Sequence, residues 1–329
     1  MAYDAADGYV LLFEGKEAKT WTFSDDVWTE LFPTVSPSAR TFACMAYDWA
    51  DGYVVLYGGG EGGIGTPKKE LSDTWTFRGG VWTDITEKAD SPPGLAYPSC
   101  AYDTAAGYLV LFGGANGRGP TYTGTSGLTV HSTDQTWKFL EGKWTNITAT
   151  TGSHPGPRFG AAMAYDAADG YVVLYGGAIN GTSTANGSCS PLQCPHLNET
   201  WKFAGGTWTN LTDTASPAGT PPGVWEAAMS NDSSGGIVIF GGQANGYKSP
   251  NATGNYTWVF LGGRWTNVTT EQTFSPAPRF GAAVAFEPET ATVVLFSGLG
   301  GTVVNTPLRS DTELFYNGEW ECLDSCLRT

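Results

Sequence analysis

One pattern recurs six times along the chain. Each copy has an apolar run ending in Tyr-Asp or a variant of it. A run of the type Gly-Tyr-Val-Val-Leu-Tyr-Gly-Gly follows, then Asp-Thr-Trp-x-Phe, then Gly-x-Trp-Thr. The fourth copy reads Phe159 to Asp166, Gly170 to Gly177, Glu199-Thr200-Trp201-Lys202-Phe203 and Gly206-Thr207-Trp208-Thr209. A repeat of this length constrains the fold more than composition does, because each unit must stack on the next to bury its faces.

The copies index on their last tryptophan: Trp28, Trp82, Trp144, Trp208, Trp265 and Trp320. Diglycines stand at Gly58-Gly59, Gly113-Gly114, Gly176-Gly177 and Gly241-Gly242, with Glu14-Gly15 and Ser297-Gly298 in the outer copies. Every unit holds four short apolar or β-branched runs bounded by Gly, Asp, Asn and Pro, the signature of strands and turns. No window carries a 3.6-residue apolar period, so essentially no helix is expected.

Four strands per unit, a diglycine after the second and a Trp in the fourth resemble the kelch family of β-propellers over nearly the whole chain. The resemblance implies an all-β, six-bladed propeller of kelch type with four antiparallel strands per blade. It implies one domain over 1–329, with blades near 1–35, 36–90, 91–152, 153–215, 216–272 and 273–329. The physics agrees, because a lone four-stranded sheet cannot bury both faces whereas blades around an axis cover one another. The phrasing Tyr-Asp-Ala-Ala-Asp-Gly-Tyr-Val-Val-Leu-Tyr-Gly-Gly also resembles kelch repeats of large archaeal surface proteins. That likeness implies a cell-envelope or secreted setting.

Repeat columns argue for packing. Eleven of the thirteen tryptophans fall in two columns, the indexing series and Trp21, Trp75, Trp137, Trp201 and Trp258, with Glu313 in the last copy. Trp49 and Trp225 lie outside both. Asp4 to Gly8 and Asp166 to Gly170 read as tight hairpin turns, since the spacing lacks the alternating ligands and distal Glu of a calcium loop. Arg40, Arg158 and Arg279 recur just before the first strand and read as structural, with the channel mouth as the alternative.

Net charge is −15, with nine Lys and eight Arg. A basic stripe is missing, which argues against nucleic-acid partners, and acidity is read as a source of solubility. No run of apolar residues is long enough to span a membrane as a helix. Nine Asn-x-Ser/Thr sequons occur among thirteen asparagines: Asn146, Asn180, Asn186, Asn198, Asn210, Asn231, Asn251, Asn255 and Asn267. Chance would give roughly three on the acceptor rule, so an extracellular or cell-surface glycoprotein is expected. Asn146, Asn210 and Asn267 share one repeat column and are not independent. Cys189 with Cys194 and Cys322 with Cys326 are each spaced to close a local disulfide ring. Cys44 and Cys100 lie in adjacent first strands, where a bridge and two buried thiols both stand open. No cysteine–histidine cluster has zinc spacing, and neither metal nor cofactor is expected.

In a kelch-type blade the two-to-three and four-to-one links share one face. Here those links are the long ones and the other turns are short, so that face is expected to bind. Its candidate contacts are Arg118, Tyr122, His131, Trp225, Tyr247, Tyr256 and Phe274, since aromatic and Arg side chains anchor proteins and sugars. The expected partner is a surface protein or glycan, with self-association as the alternative. His131, His154 and His196 lack the copper-ligand context of galactose-oxidase-like relatives, and no nucleophile–base pair is readable. The chain is therefore expected to be non-catalytic. The alternatives are a structural subunit of a surface layer or filament and, ranked below it, a kelch-type enzyme of the galactose-oxidase or sialic-acid kind.

Copy one lacks the Pro-x-Arg-Phe-Gly-Ala-Ala lead-in of later copies, and Met1 shares a column with Met45 and Met163. An internal methionine of a longer precursor is the expectation. Blade one should then pack on blade six through side chains alone, with help from the missing lead-in or from the Cys322–Cys326 tail as the further expectation.

Overall fold

The computed structural model describes residues 1–61, 69–116, 131–179, 195–215, 219–244, 253–300 and 308–324. Six four-stranded antiparallel sheets form a six-bladed β-propeller, as the repeat predicts. Within each, sequence neighbours are sheet neighbours. The innermost strands are Ala2–Asp4, Cys44–Asp48, Ser99–Asp103, Ala162–Asp166, Ala228–Asn231 and Ala283–Glu287. They pack side by side around the axis, with Ala2–Asp4 against both Cys44–Asp48 and Ala283–Glu287, so the ring closes.

The strand sequences explain their places. The second strands Tyr171–Tyr175 and Ile237–Phe240 are buried at every position, and the others at all but their ends. They read as continuous apolar runs because a neighbouring blade covers each face. Fourth strands such as Lys143–Asn146 bury only their tryptophan and expose the rest. They are the outer edges, and their charged and hydroxyl side chains discourage pairing with other chains.

Blade packs on blade through an aromatic belt. Each indexing tryptophan sits between a phenylalanine of its own third strand and an aromatic ring of the preceding blade. Trp144 lies 5.0 Å from Phe139 and 5.2 Å from Tyr57, ring centre to ring centre. Its indole N–H donates to Thr74 Oγ1 of that preceding blade at 3.0 Å. Trp82 to Thr20, Trp208 to Thr136, Trp265 to Thr200 and Trp320 to Thr257 repeat the bond. Trp28 to Thr312 closes the belt across the seam between blades six and one. That seam is joined by side chains, and a backbone ladder across it is missing among the described residues.

The hairpins between first and second strands are capped turns. Asp166 Oδ1 accepts the N–H groups of Ala168 and Asp169, both at 3.1 Å. Gly170, at φ 76°, closes the turn onto the Asp166 carbonyl at 2.8 Å, a left-handed conformation that glycine adopts without strain. Among the described residues, helical structure amounts to the single turn Thr86–Ala89 and the 3₁₀ turns Thr148–Thr150 and Thr269–Glu271.

Cys44 and Cys100 form a disulfide between the first strands of blades two and three, with Cα atoms 5.8 Å apart. Cys322 is also disulfide-bonded. Its expected partner Cys326, and the expected Cys189–Cys194 pair, lie outside the described residues.

Candidate functional site

Strand direction puts the two-to-three and four-to-one links at one end of the ring. A cavity of about 1100 Å³ opens there and runs down the axis. Its waist is a collar in one repeat column: Met1, Met45, Cys100, Met163, Met229 and Val284. These include all four methionines of the chain, and polarisable thioethers suit an adaptable apolar lining.

The mouth is built by the segments that precede each first strand, here called straps. Each strap carries one residue in the left-handed region: Phe42 (φ 59°), Tyr97 (58°), Gly160 (61°), Glu226 (55°) and Gly281 (62°). Backbone hydrogen bonds link these residues from blade to blade. Tyr97 N–H donates to Phe42 O at 3.0 Å, Gly160 to Tyr97 at 3.0 Å, Glu226 to Gly160 at 2.8 Å and Gly281 to Glu226 at 2.8 Å. Phe42 and Tyr97 stack with ring centres 3.9 Å apart. Phe42, Tyr97 and Glu226 line the cavity from this conformation, which is uncommon for non-glycine residues.

Glu226 is the main polar group of the mouth. It lines the cavity, and burial pushes its carboxyl up to about 8. A Cβ on Gly281 would lie 3.1 Å from Glu226 Oε2, and one on Gly160 would lie 3.4 Å from Oε1. The two flanking glycines thus leave room for the carboxyl. Arg309 also lines the cavity, and its buried Nε has no hydrogen-bond partner among the described residues. Glu14 and Lys16 add charge at blade one. Sequence reasoning missed Glu226 and Arg309, since neither stands in a recognisable motif.

The three recurrent arginines are structural. Arg40, Arg158 and Arg279 are 1–2% exposed. Each donates to a carbonyl at the end of its own blade's second strand: Gly58, Gly176 or Ser297. Each also pairs with the carboxylate that immediately precedes the third strand: Asp73 at 2.6 Å, Glu199 at 2.6 Å or Asp311 at 2.8 Å. The arginines keep these carboxyls below their usual range despite burial. Trp75 and Trp201 donate their indole N–H to the same acids. In blade six Glu313 replaces the tryptophan and accepts from Arg279 at 2.8 Å. Burial, with Asp311 beside it, raises Glu313 to about 8.

The expected loop contacts scatter. Arg118, Tyr122 and Tyr247 lie outside the described residues. His131 is exposed, paired with Asn116 at the foot of a long link. Tyr256 is half-buried against the blade-five core, and Phe274 packs on the blade-six cluster. Trp225 is not exposed at all. It donates to Gln243 Oε1 at 2.9 Å and is ringed by Tyr97, Phe159, His196 and Phe280. Its place is the strap hub, so its ring is closed to solvent. Trp49 is exposed on the opposite, short-turn face.

Of the sequons, Asn146, Asn198, Asn210, Asn255 and Asn267 are exposed and Asn231 is half-buried, while Asn180, Asn186 and Asn251 lie outside the described residues. The shared column has a structural task. Asn146, Asn210 and Asn267 each accept the N–H two residues on, at 3.0, 2.8 and 2.9 Å. The hydroxyls of Thr148, Thr212 and Thr269 accept the N–H of Thr136, Thr200 and Thr257. Blade two does the same with Asp84 and Thr86, which is no sequon. The cap uses Oδ1 and leaves Nδ2, the glycan-bearing atom, free.

No protein-family model and no curated protein matches the chain. Among solved structures, that of YjhT is similar at 14% identity, covering 96% of each chain with a TM-score of 0.61. At that identity the likeness carries the propeller fold and nothing finer.

Proposed function

We propose that this propeller is a non-catalytic recognition module of the cell surface or extracellular space, of kelch type, which binds a protein or glycan at the strap-lined mouth. One observation carries the reading: the cavity of about 1100 Å³ opens at the end that bears the long links. A cavity of this size, apolar at its waist with a few charged groups above, suits a small ligand or an anchoring side chain. The sequon excess and the cysteines support the extracellular setting. The mouth offers Glu226, Glu14, Lys16 and Arg309, but no nucleophile–base pair among the described residues.

The test is a screen of glycosylated protein against glycans and surface-protein ectodomains, followed by Glu226→Gln and Lys16→Ala variants. The reading expects a ligand whose affinity falls at least tenfold in one of these variants while the fold is retained. A ligand indifferent to both, or turnover of a small substrate, contradicts it.

A further inference from the structure

The carboxyl of Glu226 stands alone at the axial mouth. No hydrogen bond or ion pair reaches it among the described residues. The backbone around it is fixed on both sides. Glu226 N–H donates to Gly160 O and Glu226 O accepts from Gly281 N–H, both at 2.8 Å. Trp225, just before it, is anchored on Gln243 Oε1. Gly160 and Gly281 take the left-handed conformation at little cost, whereas Glu226 at φ 55° takes it with strain. The fold gains no bond from this acid and bears the cost of burying it.

The charged groups nearby do not serve it. Arg158 and Arg279, in the two flanking straps, face Glu199, Asp311 and Glu313 of their own blades. His196 packs against Trp225. Glu14, Lys16, Arg309 and Asp324 line the cavity from blades one and six. Burial alone raises the Glu226 carboxyl to about 8, with no charged neighbour adding to that or offsetting it. Across the mouth, three blades away in a ring of six, stands Phe42. The methionine collar lies three positions below the left-handed residues: Phe42 leads to Met45, Gly160 to Met163 and Glu226 to Met229. In extended chain that is a drop of about 10 Å.

We propose that the mouth holds a small organic cation with an apolar tail, its ammonium on the Glu226 carboxylate opposite Phe42 and its tail against the methionine collar. A bare acid in a cavity of low dielectric gains most from a ligand that brings the opposite charge. An aromatic ring is the other group that attracts an ammonium. The net charge of −15 draws cations toward the ring. Below the acid, polarisable thioethers adapt to an alkyl chain of varied shape. The order of acid above and apolar waist below selects the occupant. A lysine of a partner protein would enter ammonium first and leave the collar unfilled, whereas a free alkylammonium fills both levels. Such a cation is a ligand in its own right, and its binding neither needs nor excludes a protein or glycan partner at the rim.

The test is calorimetric titration of the full chain with n-hexylammonium, with 1-hexanol as the uncharged control and Nα-acetyllysine methylamide as the tailless one. Hexylammonium is expected to bind more tightly than either control. Glu226→Gln should weaken it about tenfold or more and leave hexanol unaffected. An ammonium favours the ionised carboxyl, so binding expels the Glu226 proton. Affinity should therefore rise about tenfold or more from pH 6 to pH 9 in the unaltered protein, a series that stands even where the variant fails to fold. Four results would overturn the proposal: hexylammonium no tighter than hexanol, equal affinity for the lysine derivative, full affinity in a folded Glu226→Gln protein, or affinity that is flat or falls with rising pH.

Discussion

Trp28 Nε1 donates to Thr312 Oγ1 at 3.0 Å, joining residues at opposite ends of the chain. The indole is flanked by Phe23 at 5.0 Å and Phe296 at 4.9 Å. It repeats at the seam what Trp144 and Thr74 do inside the chain. Trp28→Phe keeps the ring and removes the donor, leaving Thr312 Oγ1 one bond short. A loss of about 1–2 kcal/mol is expected, seen as a lower Tm by calorimetry. An unchanged Tm would show that closure does not rest on this bond.

The strand Ala2–Asp4 pairs with Tyr9–Leu11 and packs against the first strands on both sides. Removing Met1–Asp4 should lower Tm by several degrees, since edges of two other blades lose their cover. A truncated chain that melts with the parent would place closure elsewhere.

The Cys44–Cys100 bond ties two blades across a sequence separation of 56. Replacing both cysteines by serine should cost about 2–4 kcal/mol through freedom returned to the unfolded chain. Equal denaturation midpoints for the two proteins would contradict that.

Stability should rise as pH falls from about 8 to about 5. Burial raises Glu226 and Glu313 to about 8, and Asp4 and Asp166 to about 6. A carboxyl whose folded value exceeds its unfolded one binds more protons in the folded state, so its ionisation above that value destabilises the fold. Asp73, Glu199 and Asp311 are shifted downward and lose their contribution only at more acid pH. Glu226→Gln should flatten the upper part of the profile. A Tm that climbs from pH 5 to 8 would refute the sign.

The sequon column separates structure from glycan by substitution. Asn146→Asp keeps the turn cap, as Asp84 does in blade two, and removes the acceptor. Asn146→Ala loses both and should cost about 1 kcal/mol more. Equal stabilities of the two variants in unglycosylated protein would remove the capping role.

Much of the fold was legible because propeller packing is columnar. The tryptophan columns, the diglycines and the capped Asp turns recur at fixed places, and recurrence is packing. The threonine that receives each indole was equally legible, since Thr20, Thr74, Thr136, Thr200, Thr257 and Thr312 are invariant where one tryptophan is not. The mouth was hidden for the opposite reason. Phe42, Tyr97, Gly160, Glu226 and Gly281 share a backbone conformation and no side-chain chemistry. Trp225 looked available because it stands outside the tryptophan columns, but it occupies a strap column beside Phe159 and Phe280, whose place is internal.

The central claim is that a single ring recognises a partner at its mouth. Electron microscopy of native, glycosylated protein from the producing cells, at low concentration, tests it most directly. The account predicts isolated rings. Repeating sheets or fibres would contradict it and make the strap-lined face a lattice contact of a building block.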